Sequence, residues 1–173
     1  SGAYNVNFKM YVEAGYQGYY NFQHFESPGI EWAFDVWFYD DGSAELMVGN
    51  VKYPFTYTQA TWVEIEHAID IDADLASLVV NGTEVHSWPF SYETQGTAGT
   101  NQLGGIDFWT DDVTYRYYVD DLSYVELATA QNPALVISPA QLDAMAPQGL
   151  SVTLPLELAN EGTADLNYQI SVI

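Results

Sequence analysis

Apolar and polar residues alternate along most of this chain with a period of two. From Tyr4 to Val12, the residues Tyr4, Val6, Phe8, Met10 and Val12 are apolar, and Asn5, Asn7 and Lys9 interrupt them. Side chains on a strand point alternately to opposite faces, so this pattern predicts a strand with its apolar set turned to a core. Trp62 to Ile69 repeats it, with Val63, Ile65 and Ile69 on one face and Trp62, Glu64 and Glu66 on the other. Ala76 to Val80 and Thr83 to Phe90 follow as two further strands, joined at Asn81-Gly82. Asn-Gly is the strongest short hairpin signal, because both central positions of the tight turn need positive φ.

That turn sets a register. Val80 is expected opposite Thr83 and Leu78 opposite Val85 on a core face. Val79 is expected opposite Glu84, Ser77 opposite His86 and Leu75 opposite Trp88 on an open face. Keeping Val63 and Ile65 in the core then requires Ile69 opposite Ala76, or else a bulge. One open face would collect Trp62, Glu64, Glu66, Glu84, His86 and Trp88.

Other strands are expected at Tyr19 to Phe25, Ile30 to Tyr39, Ser43 to Val48, Tyr53 to Tyr57, Gln102 to Thr110 and Thr114 to Leu127. Ser27-Pro28-Gly29, Asp40-Asp41-Gly42 and Gly49-Asn50 supply turns between them. In the strand 30–39, Trp32, Phe34, Val36 and Phe38 form one apolar face, and Glu31, Asp35, Trp37 and Tyr39 the other. In the strand 102–110, Ile106 and Phe108 oppose Asp107 and Trp109. No segment shows a helical period. Short strands at roughly 8–12-residue spacing predict an all-β fold, an antiparallel jelly-roll β-sandwich.

The pattern changes at Ala128. Residues 1–128 read as the jelly-roll domain and residues 129–134 as a linker. Residues 135–173 read as a partial immunoglobulin-like segment with strands in Val152–Leu158 and Leu166–Val172. A complete immunoglobulin-like sandwich needs about seven strands, so this tail is half a domain or an appendage.

Charge narrows the partners. Of 173 residues, three are Lys or Arg and 24 are Asp or Glu, for a net charge of -21. Such a surface repels phosphates, which argues against nucleic acid and anionic membranes. It suits solubility, high salt or bound divalent cations. There is no cysteine, hence neither a disulfide framework nor thiol chemistry. No run of about 18 apolar residues is present to insert in a membrane as a helix. The chain opens directly into a strand pattern at Tyr4, as expected of a piece of a longer protein.

Four stretches carry a family likeness: YYNFQHFESPGIEWAFDVWF, TWVEIEHAIDIDAD, NQLGGIDFWT and YYVDDLSYVEL, together about Tyr19 to Leu127. With them the chain resembles the concanavalin A-like lectin/glucanase superfamily in its laminin-G-like form. It is most like repeat modules of large secreted Bacteroidota proteins. The tail stretch VTLPLELANEGTADLNYQI resembles the start of an immunoglobulin-like module. The resemblance implies a secreted, extracellular or cell-surface module that binds or adheres and does not catalyse.

Glucanases of that fold place three carboxylates at alternate positions of one strand, and retaining chemistry needs two carboxyl groups about 5–5.5 Å apart. Glu64 and Glu66 fit the first two positions, but the third is Ala68. Without a proton donor the leaving group is not protonated, which argues against an enzyme. His24, His67 and His86 lie on separate strands with no zinc-ligand spacing, and His67 falls in the core register. Asp70, Asp72 and Asp74 offer oxygen ligands at alternate turn positions. The EF-hand pattern fails, since its sixth position is Leu75 and its twelfth Asn81. Crowded carboxylates are costly without a cation, so structural calcium is expected there or at Asp120 and Asp121. The other reading is that these aspartates accept hydrogen bonds or are solvated. Asn81-Gly82-Thr83 is a formal glycosylation sequon and, more simply, the hairpin turn.

Sugar rings stack on aromatic faces while carboxylates and amides accept their hydroxyls. The expected carbohydrate-binding set is therefore Trp37, Tyr39, Trp62, Trp88, Trp109, Asp35, Glu64, Glu66, His86 and Asp107. A loop at 91–100 that covers some of these aromatics, or a second small core, is the competing reading. Expected partners are a glycan or cell-surface ligand. Alternatives are other protein chains, joined through 135–173 in a structural or adhesive subunit, and an accessory place on a secreted hydrolase.

Overall fold

The computed structural model describes residues 1–110, 112–127, 134–141, 143, 145–161 and 166–170. The chain divides into two compact units, Ser1–Leu127 and Ala128–Ile173.

The first unit holds ten strands: β1 (Ala3–Val12), β2 (Gly18–Gln23), β3 (Trp32–Phe38), β4 (Ser43–Val48), β5 (Val51–Thr56), β6 (Trp62–Asp70), β7 (Leu75–Val80), β8 (Thr83–Trp88), β9 (Gly105–Asp107) and β10 (Tyr117–Leu127). They form two five-stranded sheets, ordered β10-β1-β6-β7-β8 and β5-β4-β3-β2-β9. Every paired strand runs antiparallel to its neighbour. The unit is an antiparallel jelly-roll β-sandwich. No helix among the described residues is long and apolar enough to cross a membrane.

The alternation dictates the core. Val6, Phe8, Met10 and Val12 of β1 and Val63, Ile65 and Ile69 of β6 are buried. They meet Phe34, Val36 and Phe38 of β3 and Leu46 and Val48 of β4. Asn81 and Gly82 both have positive φ, as the two-residue turn demands. Ile69 stands opposite Ala76, the register that keeps β6 apolar toward the core.

Three bulges break the simple alternation. On β8 the extra residue is Val85: Val79 pairs with Glu84, but Leu78 pairs with His86 and Ala76 with Trp88. One extra residue moves everything beyond it to the other face. His86 and Trp88 therefore turn inward, against the expected open face. Trp88 is buried, edge-on to Phe34, and His86 stacks on Tyr53 with ring centroids 3.6 Å apart. On β3 the extra residue is Ala33, because Phe22 pairs with Phe34 while Gln23 pairs with Trp32. Ala33 and Phe34 are both buried, and Trp32, expected in the core, is 40% exposed on the outer face. The third bulge lies on β10, between the pairs Asn7–Ser123 and Lys9–Asp120.

His67 sits in the core, as its register predicted, and is fully satisfied there. The Ser77 carbonyl can only accept, so Nδ1–H donates to it (3.1 Å) and Nε2 accepts from the Tyr20 hydroxyl (2.9 Å). Burial lowers the ring from its ordinary 6.5 to about 3.

In the second unit β11 (Leu135–Ser138) pairs with β12 (Glu157–Asn160) as a two-stranded sheet. The strand expected at 152–158 is thus confined to its end. Residues 166–170 form no strand. The linker at 129–134 falls, apart from Ala134, outside the described residues, as does the end of the expected last strand.

His67 makes stability depend on pH. The unfolded chain takes up a proton on this ring below about 6.5, and the folded chain refuses it until about 3. The unfolded state binds more protons in that window, so stability falls as pH drops through it. Denaturant melts across the window should show this slope in the wild type. In His67→Gln the slope should be shallower on a lower baseline; an unchanged slope would assign it to other groups.

Candidate functional site

β2 is buried along its whole length. Tyr20 and Phe22 enter the core, so Tyr19, Asn21 and Gln23 must point to the outer face of the second sheet. There they form the floor of a cavity of about 750 Å³.

Strand register arranges the floor in rows. Asn21 stands opposite Asp35 on β3 and Asp107 on β9. Tyr19 stands opposite Trp37, with ring centroids 4.3 Å apart. Gln23 stands opposite Trp32. Trp109, just past β9, meets Tyr19 edge-on at 6.3 Å and is 48% exposed. The floor is tied together by side chains. Gln23 Nε2 donates to Asn21 Oδ1 (2.9 Å), and Asn21 Nδ2 donates to Asp107 Oδ2 (3.4 Å). The Gly29 amide donates to Gln23 Oε1 (2.8 Å). The Tyr19 hydroxyl donates to Asp35 Oδ1 (2.9 Å). Burial pushes the Asp35 carboxyl above the usual range, against the pull of the Tyr19 and Thr94 hydroxyls. Burial, then the charge of Asp35, raises the Tyr19 hydroxyl as well.

The wall is the segment between β8 and β9. Its Glu93, Thr94 and Gln95 line the cavity beside Trp32 and Glu31. It is pinned from several sides. The Thr94 amide donates to the Trp32 carbonyl (2.9 Å), and the Gly49 amide donates to the Glu93 carbonyl (2.7 Å). Asp74 accepts from the Ser91 amide and hydroxyl at 2.7 and 2.8 Å. Buried His24 contacts the Phe90 carbonyl through Nε2 (2.9 Å) and Glu31 through Nδ1 (2.6 Å). The same Glu31 oxygen accepts the Thr100 amide (2.6 Å). Burial alone would raise the Glu31 carboxyl; the Thr100 amide and the His24 ring outweigh it and hold it below its ordinary value. The loop is therefore a wall, and Trp109 and Trp32 stay open to solvent beside it.

The structure brings together Asp35, Trp37, Asp107 and Trp109 of the expected set. Tyr39 lies off the cavity and donates its hydroxyl to Glu45 Oε1 (2.7 Å). Trp62, Glu64 and Glu66 face out from the first sheet, on the opposite side of the sandwich. Trp62 and Glu64 border a depression of about 410 Å³ there with Lys9, Asn81, Asp120 and Asp121. The single open face expected from sequence is thus three places: one outer face, the opposite outer face, and the inner face of the first sheet, where Trp88 is buried and His86 half-buried. Tyr19, Asn21, Gln23 and Trp32 were missed. Their signal was present in YYNFQ, where Tyr20 and Phe22 alternate with the floor residues.

The aspartates expected to hold calcium make the following contacts in the structure. Asp70 accepts the Ala73 amide, Asp72 the Gly2 amide and Asp74 the Ser91 donors. Asp120 accepts the Asp121 amide, and Asp121 pairs with Lys9 at 2.8 Å. Among the described residues no group of three or more His, Cys, Asp or Glu side chains could hold a metal ion.

No protein-family model and no curated protein matches the chain. A solved sialidase is similar over 73% of this chain at 11% identity, with a TM-score of 0.50. The likeness is one of fold. The chain spans 13% of that sialidase's length. The catalytic domain of a glycoside hydrolase family 131 protein from Coprinopsis cinerea aligns over 75% of this chain and 58% of its own, at 14% identity and a TM-score of 0.46. Sheep galectin-11, solved in complex with glycerol, aligns over 63% and 91%, at 13% identity and 0.40.

One glycine delivers β9 to the floor. A Cβ on Gly104 would lie 2.2 Å from the Phe25 backbone, whereas one on Gly105 meets nothing within 4 Å. Gly104→Ala should cost about 1–3 kcal/mol in denaturant melts, as other overpacked sites do, while Gly105→Ala costs nothing measurable. Equal effects would show that close approach at Gly104 does not position this strand.

Proposed function

We propose that the sandwich is an extracellular, non-catalytic carbohydrate-binding module whose ligand lies in the cavity over β2, β3 and β9. The observation that carries this reading is the cavity's composition. Trp32, Trp37, Trp109 and Tyr19 supply ring faces and edges, and Asp35 and Asp107 supply acceptors across one strand row. A pyranose presents apolar C–H faces and a rim of hydroxyls, which such a surface matches. The charge and the fold are compatible with a secreted part of a larger protein. On the opposite sheet Glu64, Glu66 and Ala68 are all exposed on one face of β6. The third position of that alternate-carboxylate pattern on β6 is Ala68, which supports a module that binds rather than cleaves.

A second reading draws on the tail. Leu135, Val136 and Ile137 of β11 are exposed, and exposed apolar strands of this kind are templates for pairing with another chain. In this reading residues 135–173 join the chain to other protein chains in a structural or adhesive assembly.

A glycan array followed by titration calorimetry tests the first reading. Trp109→Ala and Trp37→Ala should each weaken binding by roughly 1–3 kcal/mol, the weight of one stacking platform. Trp88→Ala serves as a contrast, since losing a buried tryptophan should cost about 3–5 kcal/mol of stability. No hits on the array, or hits unaffected by the Trp109 and Trp37 variants, would favour the second reading.

A further inference from the structure

The cavity's hydrogen-bonding inventory says what kind of sugar it takes. One N–H of each floor amide and the Tyr19 hydroxyl are already committed: Gln23 Nε2 to Asn21, Asn21 Nδ2 to Asp107, and Tyr19 to Asp35. Its ionisable groups other than Tyr19 are the carboxylates Glu31, Asp35, Glu93 and Asp107, and no Lys, Arg or His lines it. Carboxylates only accept when ionised. The chain has three basic residues in all, and each stands away from this cavity. Lys9 pairs with Asp121, Lys52 with Glu45 and Arg116 with Glu13. A net charge of -21 adds a field that repels anions and concentrates cations at an open cleft. Aromatic ring faces attract cations through the ring quadrupole, most strongly at tryptophan.

Resting on the glycan reading above, we propose that this site selects sugars carrying a free, protonated amino group and rejects uronic, sialic and sulfated sugars. A sugar ammonium brings donors and no acceptor, which matches the four carboxylates of the floor and wall. It would sit between the Trp37 and Trp109 rings and the carboxylates of Asp35 and Asp107. An N-acetylated sugar keeps the stacking but loses the charge. A uronate brings a carboxylate into a cleft that has no cation to receive it, and a buried unpaired charge is strongly disfavoured.

The test uses the full chain and three β-1,4-linked tetrasaccharides: glucosamine and N-acetylglucosamine, which differ only at the C2 nitrogen, and glucuronate, which carries a C2 hydroxyl and a C6 carboxylate. At about pH 6, amines of the α-amino class carry a proton. Calorimetry should show the glucosamine oligomer binding about tenfold tighter than the N-acetylated one, the weight of one desolvated cation contact, and no heat from the glucuronate. Asp107→Asn should remove most of that advantage, because the glucosamine oligomer's affinity should fall much further than the N-acetylated one's. Glu66→Gln makes the same charge change on the opposite outer face and should leave the preference intact.

Equal or tighter binding of the N-acetylated oligomer would overturn the proposal, as would binding of the glucuronate. An equal loss in Glu66→Gln and Asp107→Asn would overturn it too, because the preference would then be diffuse charge. If none of the three binds while neutral glycans on the array do, the amine preference fails and the glycan reading stands. A blank array together with three blank titrations ends both.

Discussion

One strand, β2, must be buried on both of its faces, and the rest of the first unit follows from that. Tyr20 and Phe22 join the interior, where Tyr20 hydrogen-bonds His67 and Phe22 stacks on Phe34 at 4.8 Å. Asn21 and Gln23, on the other face, are equally hidden. Burying amides is costly unless their hydrogen bonds are met. Gly29, Asp107 and their own mutual bond meet them. The polar floor of the cavity thus exists because the sheet needed a strand covered on both sides, and its rigidity comes from satisfying those groups.

The bulges at Ala33 and Val85 set which tryptophans reach a ligand. Without the first, Trp32 would belong to the core with Phe34. Without the second, Trp88 would stand outside with the carboxylates. Each bulge trades one ladder bond for a change of face, and together they move one indole out to the cavity rim and one in. Trp88 keeps a cost of this exchange: its Nε1 is a buried side-chain polar atom with no partner among the described residues.

Much of this was legible in the sequence. Alternation located β1, β4, β6 and β7 closely, Asn81-Gly82 marked the hairpin, and keeping Val63 and Ile65 in the core gave the pairing of Ile69 with Ala76. It also placed His67 inside and Asp35, Trp37, Asp107 and Trp109 outside. What alternation cannot carry is a count of extra residues, since an indole fits either face of a strand; Trp32 and Trp88 were misplaced for that reason alone. Nor does it say which sheet a strand joins. Trp62 and Trp37 both read as outward, yet they look out from opposite sides of the sandwich. In the tail, alternation through Val152, Leu154 and Leu156 promised a strand that pairs only from Glu157, where Leu135–Ser138 supplies a partner.

The five tryptophans offer the most direct test of the claim that the β2–β3–β9 face is where a ligand sits. Three border the cavity, Trp62 lies on the opposite outer face, and Trp88 is in the interior. Each indole N–H gives its own signal in a ¹H–¹⁵N correlation spectrum, assignable by single Trp→Phe variants. Titrating a bound glycan should shift the signals of Trp32, Trp37 and Trp109 and leave Trp62 and Trp88 in place. A titration that moves Trp62 while the other three stand still would contradict the account and put the site on the other sheet.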